Sequence, residues 1–323
     1  MRSVRSDDGR VRLTVDGSQA EAALTITRRW STGQTVTDED WLRLLTNEAH
    51  QRWKRRSHEA GRPVSDTDYA RFLLSDTTAG QLEAFTRTLG WWTGADWVQA
   101  GLRASEYLPH DAVISAQVSL TLMPEAGSYY HGGPDDAAVF FGLDPELKAC
   151  EFENRMVHEL HHVGSFALAR RRDAGEKSHI ECAIEWTSAF AEGLAMLAAA
   201  GGPEAHPHEK SRAETRARWD RDVANFERDR GEIENFLLDV AAGRLTGATA
   251  MSVGQALLGV QGPWYTVGWK MAVTVERAFG RGAVVDCVAD CSGLMALYND
   301  AAVPHGLTPW SRELMETLCG GER

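Results

Sequence analysis

The spacing of apolar positions changes twice along this chain and predicts three stretches of different character. Behind a Thr37–Asp40 pair that reads as a helix cap, Trp41, Leu44, Leu45 and Ala49 recur at helical intervals. Basic residues, Gly61 and Pro63 close that helix in RWKRRSHEAGRP (52–63), whose charges read as a solvated face. With one or two more helices from Ser65 to about Leu89, a mainly helical lobe is expected over 1–111, its polar first twenty residues forming a strand or loose arm. Between 112 and 142 the pattern becomes that of strands. AVISAQVSLTLMP (112–124) and AAVFFGLD (137–144) flank a Gly-rich turn region at 125–136.

Helical spacing then returns. Asp144 and Pro145 predict the start of a helix running to about 172, with Arg170, Arg171 and Arg172 complementing its C-terminal dipole. Ser178 and Glu181 form an S-x-x-E box that opens the next helix, which ends near Gly201-Gly202-Pro203. A highly charged helical stretch covers 207–242, another helix starts at Pro263 and stops near Gly280, and 283–319 is helical as well. The expected fold is α+β and predominantly helical. A small, mostly antiparallel sheet and two helices form a core over 112–205, and a helical lobe over 206–323 packs on it.

Composition narrows the function classes. The chain has 323 residues, 43% apolar and 25% charged, as in a globular protein. A net charge of −12 argues against nucleic acid as the main partner, because phosphate binding needs a basic surface. The N-terminus lacks a signal-peptide core, and no run approaches the roughly 18 apolar residues that span a membrane. Five cysteines (150, 182, 287, 291, 319) without a regular framework suggest free thiols in a reducing compartment, so a cytoplasmic location is expected. Cys287 and Cys291 read as buried small apolar residues.

The most informative segment is HELHH at 158–162, an H-E-x-x-H motif inside a predicted helix. Positions i and i+4 project from one helix face, so His158 and His162 can hold one ion between them. Glu159 is placed to take a proton from an activated water. On a helical wheel Met156, Leu160, Val163 and Ala167 fall on a core side, and the two histidines on the other, towards a cleft. His161 is expected to be a supporting hydrogen-bonding residue. A catalytic zinc site takes three protein ligands and keeps one position open. No H-x-x-G-x-x-H continuation follows His162, so the third ligand is sought on the next helix. Glu181 belongs to the cap, and Glu185 is a supporting or surface residue. Glu192 is a lone carboxylate among small apolar residues in AFAEGLAMLAAA (189–200), and such a group should face a cation. Gly193 beside it permits two helices to approach closely.

HELHH followed by a helix bearing Glu192-Gly193-Leu194-Ala195 resembles the gluzincin metallopeptidases, matching the E-G-x-A part of the N-E-G-x-A segment that supplies the third zinc ligand in the aminopeptidase N family. The gap between His162 and Glu192 is larger here, at 29 residues. The H-E-x-H-H form also looks like bacterial families of predicted zinc-dependent proteases, which tend to carry a later aromatic–glycine helix, as in 262–280, and a YN pair, as in Tyr298-Asn299. No G-A-M-E-N-type signature is present, so aminopeptidase activity does not carry over.

The resemblance implies a zincin-like fold, a bound Zn2+ and a peptide or small amide substrate aligned on the edge strand at 137–142. It also implies a hydrogen-bond donor for the oxyanion, for which Tyr265, in the first turn of the Pro263 helix, is the first choice and His131 the second. Two histidines and a carboxylate also suit Fe2+ and dioxygen chemistry, so an oxygenase is the alternative. A zincin-like fold that merely binds a partner is a third possibility, against which an intact Glu159 argues.

Overall fold

Five strands form one sheet: β1 (Arg2–Arg5), β2 (Val11–Asp16), β3 (Ile114–Thr121), β4 (Ser128–His131) and β5 (Ala138–Gly142). The structure is a computed structural model and describes residues 1–59, 61–133, 136–168 and 177–319. The strand order is β1-β2-β3-β5-β4, with β1–β2 and β4–β5 antiparallel and β2–β3 and β3–β5 parallel. The sheet is therefore mixed, which corrects the mostly antiparallel sheet expected from 112–142. The reason lies in the N-terminal twenty residues. Val11, Leu13 and Val15 are buried, and the helices between β2 and β3 carry the chain back to run alongside β2 in the same direction. β5, AVFFG, is buried at every position, as an interior strand covered on both faces should be.

Contacts divide the chain into two units, 1–102 with 113–149 and 103–112 with 150–323. The sheet belongs to the first. There the Thr37–Asp40 capping box forms as its spacing predicts, although the helix it opens (Asp38–Leu45) is short and a separate one follows over Glu48–Glu59. A buried network fastens the first helix (Ser18–Ser31) to the end of β3: Gln19 accepts from the Leu122 N–H at 2.9 Å, and the Tyr69 hydroxyl donates to the Leu122 carbonyl at 2.6 Å.

The second unit is helical among its described residues. Three of its helices matter below: the histidine helix (Ala149–Leu168), the glutamate helix (Ala191–Ala200) and the tyrosine helix (Pro263–Phe279). The histidine helix begins at Ala149 rather than Pro145, because Asp144 caps a preceding turn instead. Arg170, Arg171 and Arg172 lie outside the described residues. The Ser178–Glu181 capping box is present, but the helix it opens ends at Thr187 and a 3-10 turn (Ser188–Phe190) intervenes before the glutamate helix. Thr187 and Ser188 each turn a hydroxyl back onto a carbonyl one turn earlier, both at 2.6 Å, a pattern that bends helices. The charged stretch after 207 forms two helices (Ala213–Ala224 and Phe226–Ala241). Cys287 and Cys291 are both buried. Tyr298 and Asn299 pin the C-terminal turn. The tyrosine donates to the Thr308 carbonyl at 2.9 Å, and the Asn299 amide pairs with the Trp310 backbone at 2.7 and 3.1 Å. No described helix is long and apolar enough to cross a membrane.

Candidate metal centre

The histidine helix is buried on more than one side. Met156, Leu160 and Val163 lie in the core as expected, whereas Ala167 is exposed. His158 and His162 stand one turn apart on its remaining face, with side chains 12% and 6% exposed. Glu192 comes from the first turn of the glutamate helix and inserts its Oε2 between them. The three ligand atoms form a near-equilateral triangle: His158 Nε2 to His162 Nε2 is 3.1 Å, His162 Nε2 to Glu192 Oε2 3.1 Å, and His158 Nε2 to Glu192 Oε2 3.2 Å. It is the one cluster of three or more His, Cys, Asp or Glu side chains with metal-ligand spacing among the described residues.

This triangle fits a tetrahedral cation. Ligands about 2.0–2.1 Å from a zinc ion lie roughly 3.3–3.4 Å from one another, so the observed edges need only a slight opening. The donor set, two imidazoles and one carboxylate, is that of catalytic zinc sites with one position left open. Glu192 is held well below the ordinary carboxylate range: burial alone would raise it, but the two imidazoles beside it outweigh burial. His162 is raised for the reciprocal reason, the Glu192 charge overcoming the cost of burial.

The rings are oriented by stacking. His158 lies flat against Tyr265, with ring centroids 6.1 Å apart and planes 8° apart, and His162 lies against Phe166 at 5.6 Å and 21°. The Nδ1 atoms of both histidines are buried and have no hydrogen-bond partner among the described residues. Orientation by ring contact thus replaces the acceptor that usually fixes a ligating imidazole. Phe166 is one turn beyond His162. Its spacing from the motif was the available sequence signal for this contact.

Two further ties set the helices around the triangle. Arg103 contacts Glu153 and Asn154 on the histidine helix and donates to the Ala199 carbonyl at the far end of the glutamate helix at 3.0 Å. Tyr107 accepts on its carbonyl from His161 Nε2 at 3.2 Å and donates its hydroxyl to Glu276 of the tyrosine helix at 3.0 Å. His161 is fully buried, and burial followed by the nearby His162 pulls it down to about 3, so it stays neutral. Since a carbonyl only accepts, its Nε2 carries the proton. His161 therefore secures backbone rather than a neighbouring imidazole. Nothing in the sequence singles out Arg103 or Tyr107, whose partners are about 50 residues or more away.

Glu159 is 5% exposed, and its charge acts on both His162 and Tyr265. The Tyr265 hydroxyl faces the Glu192 carboxylate, and burial with the Glu192 and Glu159 charges drives its pKa far above the normal phenol value. Tyr265 is a protonated donor at any working pH. Glu185 stays outside this arrangement, exposed and paired with Lys177 at 2.7 Å. His131 ends β4 in the first unit. The structure thus brings together His158, His162 and Glu192, with Tyr265 against them and Glu159 close by.

The family model "Putative zinc dependent peptidase (DUF5700)" matches residues 39–305 of the chain. No curated protein and no solved structure matches it.

Proposed function

Because the chain belongs to the DUF5700 family, we propose that it is a zinc-dependent peptidase of gluzincin type, with His158, His162 and Glu192 as the metal ligands. The observation that carries this is the triangle of Nε2, Nε2 and Oε2 atoms with edges of 3.1–3.2 Å. Three lone-pair donors this close, one of them on the buried His162 ring and one on the half-buried His158 ring, call for a cation at their centre.

Zinc held there would supply Lewis acidity, making a water acidic near neutral pH and polarising the carbonyl under attack. Glu159 accepts the proton that the attacking water loses. Its burial keeps the carboxylate away from bulk solvent, and the same group returns the proton to the leaving nitrogen. Tyr265, held protonated, donates its O–H to the oxygen that gains charge as the carbonyl becomes tetrahedral. A zincin-like arrangement and a peptide or small amide substrate belong to this proposal, as does a cytoplasmic site of action. The family's description names zinc, and nothing in the site favours the iron oxygenase alternative.

The test is Glu159→Gln. The variant is expected to bind one zinc per chain as the parent does and to lose hydrolysis of a quenched peptide library. Undiminished hydrolysis by the variant would remove Glu159 from the role given to it.

A further inference from the structure

The basic run at 52–62 is only in part the solvated face that its charges suggest. On the helix Glu48–Glu59, Arg52 is 5% exposed and contacts Asp136, with Glu48 at 3.6 Å. Lys54 contacts Asp66, and Arg55 is exposed. Arg56 and Arg62 are different. Neither side chain makes an ion pair or a hydrogen bond among the described residues.

These two arginines line the same cavity, about 300 Å3 in volume, within the first unit. Trp53, Val64 and Met123 give it apolar walls, and Trp53 and Met123 are each only 7% exposed. Trp53 is backed by the rings of His50 and Tyr69, at 5.4 and 5.1 Å, so that wall is fixed. Tyr129 of β4 supplies another wall. Its ring stacks on Phe140, 5.0 Å away and 10° from parallel, and carries Arg56, whose Cζ lies 3.9 Å from the ring centroid. An arginine held on an aromatic face at this distance is already oriented, so it loses little freedom on pairing. Glu125 is the other charged residue in the lining, and it ion-pairs with neither arginine among the described residues. The cavity is therefore net positive in a chain whose net charge is −12.

A concave site with apolar walls and a few polar groups suits a small organic ligand, and unpaired guanidinium forks select a planar carboxylate. A bare inorganic anion would leave the Trp53, Val64 and Met123 surface uncovered.

We propose that this cavity binds a small organic carboxylate with an apolar body. Arg56 pairs with the acid group as a fork, Arg62 adds charge at the rim, and the body lies against Trp53, Val64 and Met123. The site contains none of the metal ligands, so it goes beyond the peptidase reading and does not depend on it.

The experiment uses the full chain labelled with 15N-tryptophan. The Trp53 indole resonance, assigned by its loss in Trp53→Phe, is followed while 3-phenylpropionate is added. Controls are 3-phenylpropionamide and inorganic phosphate. The expected result is a saturable shift with the acid, and binding roughly tenfold weaker or worse for the amide and for phosphate. Arg56→Gln and Arg62→Gln should each weaken the acid, the first roughly tenfold. Arg56→Lys keeps the charge and loses the fork, so it should still weaken binding roughly fivefold, and it reports on the fork even if Arg56→Gln fails to fold. Arg55→Gln removes a neighbouring charge outside the cavity and should change affinity less than about twofold. Melting temperatures of all variants separate lost binding from lost folding. No saturable Trp53 shift, an amide or phosphate that binds as tightly as the acid, or an Arg55→Gln effect as large as that of Arg56→Gln would overturn the proposal.

Discussion

Gly193 and Gly268 meet backbone to backbone where the glutamate and tyrosine helices cross. A Cβ on Gly193 would lie 2.1 Å from the Trp269 nitrogen, and one on Gly268 would lie 2.9 Å from the Phe190 carbonyl oxygen. Glu192 immediately precedes the first glycine, and Tyr265 stands one turn before the second. The same crossing that lets the helices touch therefore delivers the acid and the tyrosine to the two imidazoles. Gly193→Ala is expected to force the helices apart, costing about 1–3 kcal/mol of stability as core overpacking does. It should also weaken zinc binding, because Glu192 moves with the helix. Denaturant unfolding and metal content on the same preparation check both effects.

Tyr265→Phe removes the hydroxyl and keeps the ring that stacks on His158. Turnover is expected to fall roughly 100- to 1000-fold, the usual cost of one oxyanion donor, while zinc content stays near one per chain. Steady-state kinetics with metal analysis decides it, and a variant with full activity would leave the tyrosine with a packing role only.

Zinc and protons compete for the cluster. In the metal-free protein His162 lies above its ordinary value of 6.5, so lowering pH through that region protonates the ring and displaces metal. Zinc affinity should fall about tenfold per pH unit for each proton displaced. Chelator competition between about pH 5.5 and 8 measures the slope, with the proton requirement given by ordinary titration chemistry.

The same pair sets the stability of the metal-free fold. Glu192 is depressed from 4.5, so its contribution is present above 4.5 and lost as pH falls through its folded value. His162 is raised from 6.5, so its contribution is complete below 6.5 and lost as pH rises through its folded value. The metal-free protein should gain most from this pair between 4.5 and 6.5 and lose that gain towards alkaline pH, whereas zinc-loaded protein should not. Melting temperatures of the two forms across this range provide the check.

Local chemistry made much of the centre legible in the sequence. The His158–His162 pairing needs only one helix turn, and Glu192 was recognisable because a carboxylate among alanines requires a partner. Tyr265 followed from the proline that starts its helix. What escaped depended on residues far apart in the chain. The partner of β2 is β3, about 100 residues on, so the parallel pairing could not be read from alternation within 112–142. The 3-10 turn at Ser188–Phe190 breaks a periodicity that continues smoothly in the sequence, and Glu185 thereby turns to Lys177 and solvent. Gly193 announced a close approach without naming Gly268 as its counterpart.

Metal content and coordination of the purified full chain test the central claim most directly. X-ray absorption on zinc-loaded protein is expected to show one zinc per chain with two imidazole nitrogens and a carboxylate oxygen at about 2.0–2.1 Å. His158→Ala, His162→Ala and Glu192→Ala should each lose the metal. Zinc bound by sulfur ligands, or one zinc per chain surviving removal of any of these three side chains, would contradict it.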